Sequence, residues 1–136
     1  MYISTYFCLH HRRLNTLIMR NFRNYQIWKD ALLLAKSIYE LTVRLPEREK
    51  YNLKGQLFRC ACSVPSNFAE GCSRSTGKEF KRYLEISLGS LYEMETQLYI
   101  FVQCQLINQG EFESISKSIN SLERGIKTLI LKLKKI

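Results

Sequence analysis

Histidine is almost missing from this chain of 136 residues: the two present, His10 and His11, stand side by side near its start. The rest of the sequence therefore holds no Ser-His or Cys-His pair of the kind that activates a nucleophile. Nor does it hold the Glu-x-x-His pairs that bind two metals inside a helical bundle. Neither an enzyme nor a metal or other cofactor is expected. Long apolar runs are also missing, and none reaches the length needed to cross a bilayer, so no membrane partner is expected. The five cysteines are odd in number and include no Cys-x-x-Cys spacing. Cys60 and Cys62 would point about 200° apart on a helix and cannot share one metal. Cys8, Cys60, Cys62, Cys72 and Cys104 read as free thiols of a protein in the reducing cytoplasm. Proline occurs only twice, at Pro46 and Pro65. No run alternates as a strand does, and no segment repeats.

What is present is an apolar fraction of 46%, sufficient for one core of real size. Lysine and arginine number 21 against 12 acids, a net charge of +9. That excess favours acidic partners, with nucleic acid first. Residues 1–18 differ from the rest. Their apolar and aromatic residues come before the basic group His10-His11-Arg12-Arg13, the reverse of a secretory signal. Met19 opens a more regular sequence, so residues 1–18 are expected to be a disordered arm or to precede the true start. Residues 19–136 are then one domain. Removing Arg12 and Arg13 leaves 19 basic residues against 12 acidic, so that domain stays basic at +7.

The periodicity predicts four helices. The first runs from about Tyr25 to Arg44, with Ile27, Ala31, Leu34, Ile38, Leu41 and Leu45 recurring at steps of four and three. Trp28, Leu32 and Tyr39 widen that apolar surface, and Pro46 stops the helix. The second runs from about Glu49 to Gly71, with Gly71 as its C-terminal cap. Pro65 lies inside it, so either a kink near Ala61 to Pro65 or a break at Ser63 is expected. A polar loop follows, with Ser75 or Thr76 available as the next N-cap and Glu79 to complete it. The third helix runs from about Gly77 to Leu106 on a seam of Phe80, Leu84, Ser87, Leu91, Met94, Leu98 and Phe101. Gly89-Ser90 offers a low-profile point for close helix approach. Asn108-Gln109-Gly110 reads as a turn. The fourth helix runs from about Glu111 to the end on Phe112, Ile115, Ile119, Leu122, Ile126, Leu129, Leu133 and Ile136. Short links and matched seams give an all-α fold, an antiparallel up-down four-helix bundle.

The second helix is the organising element. At about 100° per residue, Gln56, Arg59, Ser63, Asn67 and Glu70 fall within about 80° of one another. Most of the remaining circumference is apolar or small, which suits a helix buried by its own chain on one side and by a neighbouring subunit on the other. The polar stripe then requires partners, with Ser90 and Glu93 of the third helix as candidates. Arg59 paired with Glu70 or Glu93 in a buried network would fix helix register. This structural role is favoured over a catalytic cluster, since no recognisable base arrangement accompanies it. Candidate phosphate contacts lie elsewhere. They are Arg74 in the loop, Lys78, Lys81 and Arg82 at the start of the third helix, and Arg124, Lys127, Lys132, Lys134 and Lys135 on the fourth. The cations late in the fourth helix also complement its macrodipole.

Arg59-x-x-x-Ser63-Val64-Pro65-Ser66-Asn67-x-Ala69-Glu70-Gly71 resembles the signature of the four-helix-bundle family of 23S ribosomal RNA intervening-sequence proteins. Phe22, Trp28, Ala31, Tyr39, Pro46, Glu49, Leu53, Gln56, Phe80, Leu84, Gly89-Ser90, Glu93, Glu95 and Gln97 agree with it. The likeness spans about Phe22 to Ile136 and leaves residues 1–18 without a counterpart. Family members usually carry small apolar residues where this chain has Cys60 and Cys62. The resemblance implies an up-down bundle that assembles as a homopentameric ring. It also implies kinship with the accessory variability protein of diversity-generating retroelements, a basic pentamer that binds nucleic acid and a reverse transcriptase.

Two functions follow as expectations. In the first, a homo-oligomeric ring sums the charge of several chains and binds the backbone of RNA or DNA. It would serve as an accessory to RNA processing or reverse transcription, with a reverse transcriptase or another protein as partner. In the alternative, the ligand is another protein and nucleic acid plays no part.

Overall fold

A computed structural model describes residues 20–134. Residues 1–19, with the expected arm and the start at Met19, lie outside the described residues, as do Lys135 and Ile136.

Four helices form: α1 (Gln26–Arg44), α2 (Gly55–Cys72), α3 (Gly77–Gln103) and α4 (Gln109–Leu133). No strand occurs among the described residues. The side-chain contacts set the direction of each pair. Along α2 and α3, Glu70 meets Tyr83, Ser63 meets Ser90 and Cys60 meets Gln97. Numbers fall on one helix as they rise on the other, so the two run antiparallel. Tyr39 against Phe58 and Tyr25 against Phe68 give the same sense for α1 and α2. Tyr92 with Glu123 and Tyr99 on Phe112 give it for α3 and α4. Arg44 with Glu111 and Ile27 beside Gly125 give it for α4 and α1.

The core lies where the heptad-like seams meet. Ile38, Leu57, Phe68, Phe80, Leu84, Leu91, Met94, Leu98, Phe101, Ile119 and Ile126 are fully buried. Every seam residue expected on α3 is buried, Ser87 included. Ser87 satisfies its hydroxyl by donating to the Val64 carbonyl at 3.0 Å. Trp28 is half-buried against Phe22, whereas Leu32 and Tyr39 are exposed in the single chain and add nothing to its core.

Several boundaries differ from those the periodicity predicts. The segment before α2 is a 3-10 turn (Glu47–Glu49) and a wide π turn (Lys50–Lys54), and the regular helix starts only at Gly55. α2 continues unbroken through Pro65, so no break occurs at Ser63. Gly71 is not a cap. It is buried one residue before the end of α2, and a Cβ there would lie 2.7 Å from Tyr83 Cβ. It is glycine because α3 passes so close. α3 ends at Gln103, three residues early. Gln105 takes a left-handed conformation, φ 58°. Its N–H then reaches Val102 O at 3.0 Å, while Leu106 N–H reaches Phe101 O at 2.9 Å. This is a Schellman closure without glycine, and it turns Ile107 into the core. Asn108 is an N-cap rather than a turn residue, and Glu111 completes a capping box with it. Thr76 caps α3, accepting from Glu79 N–H at 3.1 Å.

Candidate nucleic-acid interface

The antiparallel packing brings the start of α1, the end of α2, the start of α3 and the end of α4 to one end of the bundle. Gly77, in the first turn of α3, lies 3.8 Å from Leu133 in the last turn of α4, measured from the position of a Cβ. The charge divides along this axis. Residues 20–35, 63–90 and 120–134 form one half. It carries Arg20, Arg23, Lys29, Arg74, Lys78, Lys81, Arg82, Arg124, Lys127, Lys132 and Lys134 against Asp30, Glu70, Glu79, Glu85 and Glu123. Eleven cations oppose five acids, a net of +6. The other half, residues 36–62 and 91–119, holds seven of each and is neutral. Every candidate phosphate contact among the described residues falls in the basic half, and Lys135 lies outside them.

These cations are not equivalent. Lys78, Arg82, Arg124, Lys132 and Lys134 are exposed and form no ion pair among the described residues. Lys81 is half-buried and pairs with Glu85 at 3.4 Å. Lys127 donates to Glu123 and lies 5.6 Å from the centre of the Tyr92 ring. That hydrogen bond is the chief cause holding the Glu123 carboxyl below its ordinary range. Arg74 is committed to the fold. It donates to Glu70 and to the Tyr83 hydroxyl, each at 2.6 Å, and stands 4.8 Å over the Tyr83 ring. Its carbonyl accepts from Arg20 at 3.1 Å, and Arg20 in turn covers the Phe80 ring at 4.7 Å. Arg74 thus braces the α2–α3 loop, while Lys78 and Arg82, one turn apart on α3, are exposed and without an ion pair among the described residues.

The polar stripe of α2 separates into local groups. Asn67 donates to Ser63 Oγ at 2.8 Å, and Ser90 donates to the same oxygen at 2.9 Å. Gln97 donates to Cys60 Sγ at 3.6 Å and to Glu93 at 3.4 Å. Burial, and then a hydrogen bond to Glu93, pushes the Cys60 thiol up to about 11, so it stays protonated at neutral pH. Glu70 turns to Arg74 and Tyr83. Gln56 and Arg59 are exposed, and the expected pairing of Arg59 with Glu70 or Glu93 does not form within the chain. For Glu70 the reason is distance. Eleven residues separate Arg59 from Glu70, about 16 Å along the axis, although both lie on one stripe. The seven residues Gln56, Arg59, Ser63, Asn67, Glu70, Ser90 and Glu93 are therefore two bonded groups, a diverted acid and two solvated side chains, rather than one buried network.

Arg20, Arg23 and Lys29 carry no sequence signal of a site and join the basic half only through packing. Tyr83 likewise has none, although its hydroxyl links Arg74 to Glu70. Among the described residues no three His, Cys, Asp or Glu side chains gather as a metal-holding group, and no helix is long and apolar enough to cross a membrane.

Comparison with known proteins places the chain. A model of the 23S rRNA-intervening sequence protein family matches residues 23–128. A crystal structure of a protein with unknown function, from the S23 ribosomal protein family of Bacteroides thetaiotaomicron, superimposes with a TM-score of 0.69 at 21% identity. The match covers 76% of this chain and 97% of that one, and it establishes the shared fold. None of the curated proteins searched matches the sequence. The chain belongs to the 23S rRNA-intervening sequence protein family.

Proposed function

We propose that this family member is a non-enzymatic, homo-oligomeric protein of the cytoplasm that binds the backbone of RNA or DNA through its basic end. It would act as an accessory to an RNA-processing or reverse-transcription system. One observation carries the reading: the whole net charge of the described bundle, +6, lies in one half, and the other half is neutral. Charge scattered for solubility alone has no reason to segregate in this way. A segregated field attracts and orients a polyanion.

Assembly strengthens that field. The outer side of α2 carries Phe58, Cys62, Ser66 and Ala69 beside the unpaired Arg59, and none of the five is fully buried by its own chain. On α3, a Cβ added at Gly89 would meet nothing within 4 Å, and Ile86 and Ile100 are exposed on either side of it. These surfaces suit a neighbouring subunit. The family resemblance favours five subunits, whose basic ends would act together.

Mobility shifts with ribosomal RNA and with DNA, at low and high salt, test the binding. A complex at low salt that dissociates at high salt is expected, and no shift at low salt refutes it. Light scattering coupled to size exclusion tests the assembly, for which a monomer at both salts is the refuting result. A second reading has its own observation. Tyr39, Val43 and Phe58 line an apolar groove at the neutral end. If a protein is the ligand, a pull-down through this groove survives nuclease treatment.

A further inference from the structure

The seam between α3 and α4 combines cations with exposed aromatic rings. Tyr92 and Tyr99 are 42% and 54% exposed, although both are large side chains of a long helix. They are seven residues apart, so they share one stripe and stand about 10 Å apart along the axis. Both are oriented by α4. The Tyr92 hydroxyl donates to Glu123 at 3.2 Å, and the Tyr99 ring packs 4.4 Å from that of Phe112. Lys81 lies on the same stripe toward the basic end, Lys127 of α4 is placed over the Tyr92 ring, and Lys134, the C-cap of α4, follows Lys127 by seven residues and so continues its stripe.

From this placement we infer that the α3–α4 seam is a binding site for single-stranded nucleic acid. Lys81, Lys127 and Lys134 hold phosphates, and Tyr92 and Tyr99 stack on unpaired bases. The inference rests on the proposed nucleic-acid function and adds the form of the ligand. Basic residues alone favour the duplex, whose charge density is higher. A ring beside a cation, Tyr92, followed along the same stripe by a second exposed ring, Tyr99, favours a strand whose bases are free to stack. The distance between the two rings matches about three steps of a stacked strand at about 3.4 Å each. Glu123 positions Tyr92 and Lys127 but places an acid beside the strand, so removing its charge should tighten binding.

The test is fluorescence anisotropy with a labelled oligo-uridine 20-mer and a duplex of equal length, on the full chain at low salt. The single strand should bind tighter. Tyr92→Ala should weaken single-strand binding about fivefold or more while leaving duplex binding within about twofold, and Tyr92→Phe should restore it. Glu123→Gln should bind the single strand more tightly than wild type. Tyr99→Ala would also remove the ring packed on Phe112, so that position is read by photocrosslinking wild-type protein to iodouridine-substituted RNA, with crosslinks expected on the peptides carrying Tyr92 and Tyr99. A folded Tyr92→Ala protein that binds the single strand like wild type overturns the stacking site, as do crosslinks confined to other helices. If the duplex still binds in those cases, the proposed function stands without the site. If neither ligand binds at low salt, both fall.

Discussion

At the basic end of the bundle, Tyr25, Phe68 and Phe80 meet edge to face at 5.2, 6.0 and 6.4 Å, with Arg20 over Phe80. At the neutral end, Asn108 and Glu111 cap each other, and Arg44 donates to the same Glu111 at 2.6 Å. Each end has a helix cap and an ion pair, Thr76 with Glu79 and Arg74 with Glu70 at the first, but the first adds a cluster of three rings. Most cations at the first end form no ion pair or side-chain hydrogen bond among the described residues. At the second, charge is used to finish helices. Aromatic packing thus adds to the closure of the end that carries the excess of cations.

The largest effect expected is on that closure. Phe68→Ala should cost about 3–5 kcal/mol, because the buried ring leaves a cavity between α2 and α3. Chemical denaturation reads it. A loss under about 1 kcal/mol would mean that the aromatic cluster does not hold the basic end. Second, Lys78→Glu, Arg82→Glu, Lys132→Glu and Lys134→Glu combined should weaken RNA binding by about a hundredfold or more at low salt. The salt slope should flatten by about one for each phosphate that is no longer neutralised. Lys36→Glu with Lys117→Glu at the neutral end should change binding by about twofold at most. Equal losses at both ends would erase the distinction.

Third, Gly71→Ala should destabilise by about 1–3 kcal/mol, since its Cβ would press on the root of Tyr83 and force α2 from α3. An unchanged melting temperature would show that the helices separate freely there. The smallest effect belongs to the neutral end. Glu111→Gln should cost about 1 kcal/mol at pH 7 through the weakened cap and ion pair. The Glu111 carboxyl is held below its ordinary 4.5, first by the Asn108 N–H and then by Arg44. Its contribution is therefore complete above pH 4.5 and is lost as pH falls through the depressed value. Thermal melts of the variant and the wild type should converge in acid. A constant gap would remove Glu111 from the closure of that end.

The four helices were legible because their signals are local. The steps of four and three from Ala31 to Leu45 and from Phe80 to Phe101 name the buried faces without reference to any partner. Pro46 and Thr76 mark ends for reasons of their own backbone chemistry. Gln105 was not legible, since a glutamine carries no local signal for the left-handed turn it takes before the buried Ile107.

Of the candidate site, the sequence by itself determined which side chains are basic and which helices carry them. Packing decided the rest. Arg74 looked like Lys78, but Tyr83, nine residues on in α3, brings it into the fold. Arg59 looked like half of a buried pair, but the helix rise keeps Glu70 out of reach. The +6 end exists only because antiparallel packing sets residues 20–35, 63–90 and 120–134 side by side. Periodicity is a property of neighbours along the chain, and the sequence carries it directly. Which charges share an end is a property of neighbours in space, and only the bundle assigns it.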